Sequence, residues 1–291
     1  MWIAKNWKDY ELIDAEGGER LEKWGKYRLV RPDPQVIWKG DRGSNWKRSD
    51  ARYLRSRQGG GAWQENALPE SWNIRYEPLD LTFHIKPMGF KHTGLFPEQA
   101  FNWEKTGELI RKSGRKINLL NLFAYTGGAT VAAAKAGASV CHVDASKGMV
   151  AHAKTNAELS GLKDAPIRYI VDDCKKFIER EIRRGHKYEA VILDPPSYGR
   201  GPNGEVWKLE ESISEFISLV SQVLSDEPLF VLVNSYTTGL SPSAMGYLLN
   251  NTVKAKYGGR VECDELCLPV TSRDACLPCG SSAYYIKEAS K

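Results

Sequence analysis

The pattern of apolar and polar positions changes character about a third of the way along the chain. Up to residue 88 the apolar positions come in short stretches that predict strands at Tyr27–Val30, Val36–Lys39 and Leu79–Ile85. Turn-forming segments such as Arg31-Pro-Asp-Pro34 and Gly59-Gly-Gly61 separate them. Beyond it, unbroken apolar runs alternate with helical periodicity. Ile117–Leu122, Ser139–Val143, Ile167–Val171, Ala190–Leu193 and Leu229–Val233 read as buried strands. Helices are expected over about 97–113, Ala129–Ala136, Ser146–Leu159 with Ser146 as its N-cap, Lys175–Arg184, and near 208–225 and 242–256. Val261–Leu268 and Ala283–Lys287 close the chain as an antiparallel pair, with Cys276–Cys279 in the loop between them. The alternation predicts an α/β fold: a doubly wound, Rossmann-like sheet of seven strands, preceded by a small β-rich module. The expected division is 1–88 and 89–291, with the join near Lys86–Gly94.

In such sheets ligands bind beyond the carboxyl ends of the strands, so the residues there come first. After the first strand lies Asn121-Leu-Phe-Ala-Tyr-Thr-Gly-Gly-Ala129. Its glycines suit either a ligand approaching the backbone or a plain strand-to-helix turn. It is not a dinucleotide fingerprint, because G-x-G-x-x-G is absent. After the second strand Asp144 can accept the hydroxyls of a ribose, since Ser146 is available to cap the helix. After the third, Asp172 and Asp173 offer one carboxylate to cap a helix and one to meet an adenine amino group. After the fourth, Asp194-Pro-Pro-Ser-Tyr198 sets a carboxylate on a rigid turn, with proline carbonyls available to accept from a substrate.

Charge adds a second theme. The chain carries a net +5, and nine basic residues against three acidic ones between Arg28 and Arg57 concentrate +6 there, leaving −1 for the rest. Arg42, Lys47, Arg48, Arg52, Arg55 and Arg57 are the candidate phosphate contacts, with Trp38, Trp46 and Tyr53 interleaved among them. Basic side chains with aromatic faces are what unpaired RNA asks for, although a solvated surface over a tryptophan-rich core has the same composition. No apolar run approaches the ~20 residues of a membrane span, and no signal-peptide core precedes the first strand. The expected setting is a cytoplasm with reduced thiols.

Together, Gly94-Leu-Phe-Pro-Glu-Gln99, the Tyr125-Thr-Gly-Gly128 loop, His142-Val-Asp-Ala-Ser146, Ala153-Lys-Thr-Asn156, Asp172-Asp173 and Leu193-Asp-Pro-Pro196 resemble a family. They are similar to class I S-adenosylmethionine-dependent methyltransferases, and specifically to those acting on large-subunit (23S) ribosomal RNA. The resemblance covers about Lys91 to Leu240 and implies S-adenosyl-L-methionine as cofactor. It implies that Phe123, Tyr125, Thr126 and Gly127 surround the methionine half, Asp144 holds the ribose, and Ala145 and Ser146 flank the adenosine. Asp173 and Cys174 would meet the adenine, Phe96 and Gln99 would close over the pocket, and Asp194, Pro195, Pro196 and Tyr198 would face the target base.

Departures from the family pattern narrow the acceptor. Carbon-5 methylation of a pyrimidine requires a thiol nucleophile, and neither Asp194–Ser197 nor Val233–Thr238 contains one. Ser197 stands where enzymes acting on exocyclic amines place an aromatic. A base nitrogen of ribosomal RNA is therefore expected, with a ring nitrogen such as N7 of guanine the best fit. Asn234 is a candidate base contact or a polar strand end. The alternatives are a protein or small-molecule acceptor, or cytosine carbon 5. Cys263, Cys267, Cys276 and Cys279 have a zinc-like spacing, but they read as reduced packing residues and no metal is expected. Monomer and homodimer both stay open.

Overall fold

The computed structural model describes residues 1–56, 60–64, 67–200, 206–237 and 239–287. The unbroken apolar runs become β1 (Asn118–Leu122), β2 (Ser139–Asp144), β3 (Ile167–Val171), β4 (Ala190–Leu193) and β5 (Phe230–Ser235). These five pair in parallel, and a hairpin of β6 (Arg260–Val270) and β7 (Ala275–Ile286) joins them antiparallel to β5. The order across the sheet is β3-β2-β1-β4-β5-β7-β6. The chain leaves β1 for β2 on one side while β4 lies on the other, which makes the β1/β4 boundary the switch point.

Burial on both faces is why these strands read as continuous apolar runs instead of alternating. Leu120, Leu122, Val191 and Val231 pack with Phe177 of α4 (Cys174–Arg184), Ile213 of α5 (Leu209–Val220) and Met245 of α6 (Pro242–Leu249). Their neighbours Leu119, Ala190, Ile192 and Leu232 face Ile110 of α1 (Ala100–Ser113) and Ala133 of α2 (Gly128–Lys135). Strand β3, at the sheet edge, leaves Arg168 and Val171 exposed. Ser146 caps α3 (Lys147–Leu159) by accepting from Met149 N, as its position predicted. The helix expected over 242–256 is interrupted, because a π-helical segment at Asn250–Lys254 follows α6.

The strands of residues 2–64 do not form a separate sheet. Tyr10–Glu16, Glu19–Trp24 and Tyr27–Pro32 make an antiparallel meander, extended by Ala51–Arg55 and Gly61–Gln64. Val270 of β6 pairs with Leu12, and Trp2–Ile3 pair with Leu266 and Cys267, so the sheet continues through the join with thirteen strands among the described residues. A second hairpin, Trp72–Tyr76 with Leu81–Ile85, packs on α3, where His84 N donates to Asn156 Oδ1 and Thr82 N to Ser160 Oγ.

Two sequence expectations are corrected here. Val36–Lys39 is not a strand: Asp33 turns the chain by accepting from Gln35 N through its side chain and from Val36 N through its carbonyl. Cys276–Cys279 is not a loop but part of β7, alternating half-buried and buried positions. The Pro278 that suggests a loop is tolerated because β5 pairs only with Ser281–Ile286, leaving one side of β7 free at that point.

A buried ionic cluster sits within the meander, and its Arg31 reaches the following segment by donating through Nη1 to Lys91 O at 2.9 Å. Glu22, fully buried, accepts from Arg31 Nε and Nη2 at 2.6 and 2.8 Å and from Tyr10 OH at 2.8 Å, with Arg20 Nε at 3.4 Å. Burial alone would raise the Glu22 pKa, but Arg20 and Arg31 outweigh it and hold the carboxyl at about 2. Its stabilisation is therefore complete above the ordinary carboxyl value near 4.5 and disappears as pH falls through about 2. Glu22→Gln leaves the buried Arg31 guanidinium without a counter-charge and Arg20 with only Asp33, at 3.6 Å. It should lower unfolding free energy by about 3–5 kcal/mol in urea titrations at pH 7.

Candidate active site

The ends of β1, β4 and β5 open onto a cavity at the switch point. Phe96, Gln99, Phe123, Tyr125, Thr126 and Asp194 line it, all of them singled out from the sequence. Asn234, the candidate base contact, and Asn121, Ala124, Gly128 and Ala129 of the quoted loop line it too, whereas Leu95, Trp103 and Ile192 were missed. Trp103 carries a readable sign: α2 begins with two glycines, and a Cβ at Gly128 would come within 2.8 Å of the Trp103 ring.

The loop after β1 is held in an uncommon shape. Phe123 and Tyr125 have φ of 55° and 50°, a region that side chains rarely occupy. Each is fixed by its backbone N–H: Phe123 N donates to Cys174 Sγ at 3.3 Å, and Tyr125 N to Asp144 Oδ2 at 2.9 Å. Asp144 Oδ1 accepts from Ser146 N at 2.8 Å. Each carboxylate oxygen thus uses one acceptor position on the backbone and keeps another for a ligand. Thr126 donates through Oγ1 to Gly94 O at 2.5 Å, and its carbonyl accepts from Asn156 Nδ2 at 2.8 Å. Gly127, at φ 79°, completes the turn into α2.

Behind the cavity runs a hydrogen-bonded amide cluster. Asn102 Nδ2 donates to Gln99 Oε1, Asn234 Oδ1 and Ser282 Oγ at 2.9–3.1 Å. Asn234 faces the cavity yet is 2% exposed, and its carbonyl also accepts from Ser282 Oγ at 2.6 Å. Gln99 Nε2 donates to Tyr236 OH at 2.8 Å, and the Tyr236 ring lies 5.3 Å from that of Phe96. Tyr236, two residues beyond Asn234 at the end of β5, falls under the strand-end rule but went unread.

Asp194 follows β4 on the cavity wall. Burial pushes its carboxyl up to about 7, with the nearby Glu98 adding to the shift. No lysine or arginine lines the cavity among the described residues. A wall of aromatic rings and one carboxylate suits a cation and offers nothing to a phosphate.

Other candidates sit outside the cavity wall. Asp173 caps α4 by accepting from Lys176 N at 2.9 Å, and Asp172 pairs with Arg180. Cys174 is buried beneath the loop, where burial drives its thiol pKa far up. Ala145 and Ser146 follow Asp144 into α3. The free carbonyl expected at Pro196 is taken: it accepts from Trp207 Nε1 at 2.7 Å, because Tyr198–Arg200 fold back against Val206–Lys208. Pro195 is buried, and Tyr198 lies off the cavity wall with half its surface exposed.

In the basic segment Trp46 and Tyr53 are core residues, with Trp46 Nε1 donating to Asp14 and Tyr53 OH to Gly89 O. Their faces are not available for bases. Trp38 is 38% exposed and donates through Nε1 to Ala15 O. Arg42 and Arg52 share Glu19 at 2.6 and 3.2 Å, whereas Lys47, Arg48 and Arg55 are exposed. Arg57 lies outside the described residues.

Known proteins share both the sequence and the geometry. A family model for S-adenosylmethionine-dependent methyltransferases matches residues 42–207. The "Ribosomal RNA large subunit methyltransferase K/L" of Shewanella frigidimarina is 30% identical over 62% of this chain and 25% of its own length. Its namesake in Shewanella loihica is 36% identical over 45% of the chain and 19% of its own length, so the chain spans a quarter or less of either relative. A crystal structure of an S-adenosylmethionine-dependent methyltransferase from Agrobacterium tumefaciens superposes with a TM-score of 0.89 at 34% identity, covering 98% of this chain and 93% of that one. A structure from Streptococcus mutans, 19% identical, shares the fold at a TM-score of 0.72 over 97% of this chain and 76% of its own. With the family model spanning more than half its length, the chain belongs to the S-adenosylmethionine-dependent methyltransferases.

Proposed function

We propose that this methyltransferase acts on a base nitrogen of large-subunit ribosomal RNA. The observation that carries the reading is Asp194, a carboxylate with a raised pKa on the wall of a cavity that no cysteine lines among the described residues. Without a thiol, covalent attack on cytosine carbon 6 has no nucleophile. A carboxylate serves nitrogen methylation in either form. It takes the proton released by an exocyclic amine, or offsets the positive charge left on a ring nitrogen. The names of the Shewanella relatives supply the RNA.

When bound, S-adenosylmethionine supplies a methyl group already activated by its sulfonium. The chain's own groups position and orient. In this reading Asp144 accepts from the ribose hydroxyls through its remaining lone pairs, with Ala145 and Ser146 beside the adenosine. Asp173 and Cys174 meet the adenine. Phe123, Tyr125, Thr126 and Gly127 wrap the methionine half, and Phe96 and Gln99 cover it. The ring-lined, cation-free wall fits the positive sulfonium. Asp194, with the Pro195 carbonyl, faces the acceptor; Tyr198 stands further out.

The N-terminal strands of residues 1–88 would hold the RNA for the transferase half, 89–291, in the cytoplasm where ribosomes are built. Lys47, Arg48 and Arg55 are the exposed phosphate contacts of this reading, and Lys26, Arg28 and Arg48 border a shallow polar cleft. Arg42 and Arg52 would join by exchanging Glu19 for phosphate.

Two measurements test these assignments. Asp144→Asn removes a charged acceptor that serves both the ligand and the loop, and calorimetry should show S-adenosylmethionine binding weakened about 10- to 100-fold. Methyl transfer to ribosomal RNA should have an acid limb in kcat/KM near pH 7, rising as Asp194 ionises. Asp194→Asn should lose that limb and about 10²–10⁴-fold in rate. An unchanged pH profile in the variant would remove Asp194 from the reaction.

A further inference from the structure

The loop between the N-terminal hairpin and α1 presents an aromatic ring that the functional reading leaves unused. Lys86 N donates to Thr93 O and Met88 N to His92 O, both at 3.1 Å, so Gly89, Phe90 and Lys91 form the loop's tip. The tip is pinned from the N-terminal side. Tyr53 OH donates to Gly89 O at 3.1 Å, Trp63 Nε1 to Met88 O at 3.0 Å and Arg31 Nη1 to Lys91 O at 2.9 Å, while Lys91 Nζ donates to Pro32 O at 3.1 Å. It is tied equally to the cavity wall, where Tyr125 OH reaches Met88 Sδ at 3.5 Å and Thr126 Oγ1 donates to Gly94 O.

On this fixed tip Phe90 is 66% exposed, although the nearby Trp24, Trp46 and Tyr53 are buried. Arg55 lies two residues along its strand from Tyr53, on the face whose hydroxyl holds Gly89. The Lys91 amine is lowered to about 8, first by burial and then by the charge of Arg20, with Arg31 and Arg55 adding to the shift and Asp33 opposing it. An exposed ring on a loop pinned to the cavity wall, with an exposed arginine on the strand that holds it, matches the way proteins hold unpaired nucleotides. A target base drawn into a pocket also leaves its neighbour without a stacking partner.

We propose that Phe90 is a stacking platform for an unpaired RNA base next to the acceptor, with Arg55 facing the adjoining phosphate. The inference rests on the RNA reading above and adds a contact that the basic segment alone does not supply.

The test uses the full chain, methyl-labelled S-adenosylmethionine and ribosomal RNA lacking the modification, comparing wild type with Phe90→Ala, Phe90→Leu and Phe90→Trp. Phe90→Ala should raise the KM for RNA about tenfold, with kcat, the KM for S-adenosylmethionine and the melting temperature unchanged. Phe90→Trp should restore the RNA KM and Phe90→Leu should not. An unchanged RNA KM in Phe90→Ala, full restoration by leucine, or an equal rise in the cofactor KM would each overturn the stacking role while leaving RNA as substrate. Wild type that neither methylates nor binds RNA would overturn the functional reading itself, and the platform with it.

Discussion

The site depends on the grip of one carboxylate. Asp144 accepts from Tyr125 N with one oxygen and from Ser146 N with the other, fastening the loop after β1 to the start of α3. That loop would not hold its shape unaided, because Phe123 and Tyr125 both occupy left-handed backbone at a cost of about 1–3 kcal/mol each. Charge-assisted hydrogen bonding offsets strain of that size. Cys174 Sγ supports Phe123 from below and Asn156 holds the Thr126 carbonyl from the side. With those four contacts in place, the rings of Phe123 and Tyr125 stand in the cavity wall.

The same logic extends to the N-terminal strands. Arg31, neutralised by Glu22, donates to Lys91 O and so fixes the loop that leads to Phe96 and Gln99. Asn156 reaches the other way, accepting from His84 N while donating to Thr126 O. The N-terminal strands are hydrogen-bonded into the sheet edge and brace the cavity. An ion pair buried that far from solvent contributes little net stability by itself. Its value here lies in placing a guanidinium N–H where a backbone carbonyl of the covering loop needs it.

Much of this was legible in the residues. The parallel strands are apolar on both faces, so β1 to β5 stand within a residue or two of their expected limits. Ser146 caps its helix as expected, and Phe96, Gln99, Phe123, Tyr125, Thr126, Asp194 and Asn234 meet in one cavity. What escaped depends on partners distant in the chain. Pro196 O and Trp207, Asn102 and Ser282, and Arg31 and Lys91 are joined by the fold, with no local sign in either partner. Proline at 278 suggested a loop because its tolerance on a half-free strand depends on where β5 ends. Trp46 and Tyr53 looked like stacking surfaces for want of knowing that a short 3-10 turn points the first inward and its strand the second.

The most direct test is to identify the modified nucleoside. Purified protein, S-adenosylmethionine with a labelled methyl group and unmodified ribosomal RNA would be incubated together, and the digested RNA resolved by mass spectrometry. One labelled nucleoside methylated on a base nitrogen is the expected result, given a carboxylate and, among the described residues, no thiol on the cavity wall. Label on carbon 5 of cytosine, or on no nucleoside at all while cofactor binding is intact, would contradict it.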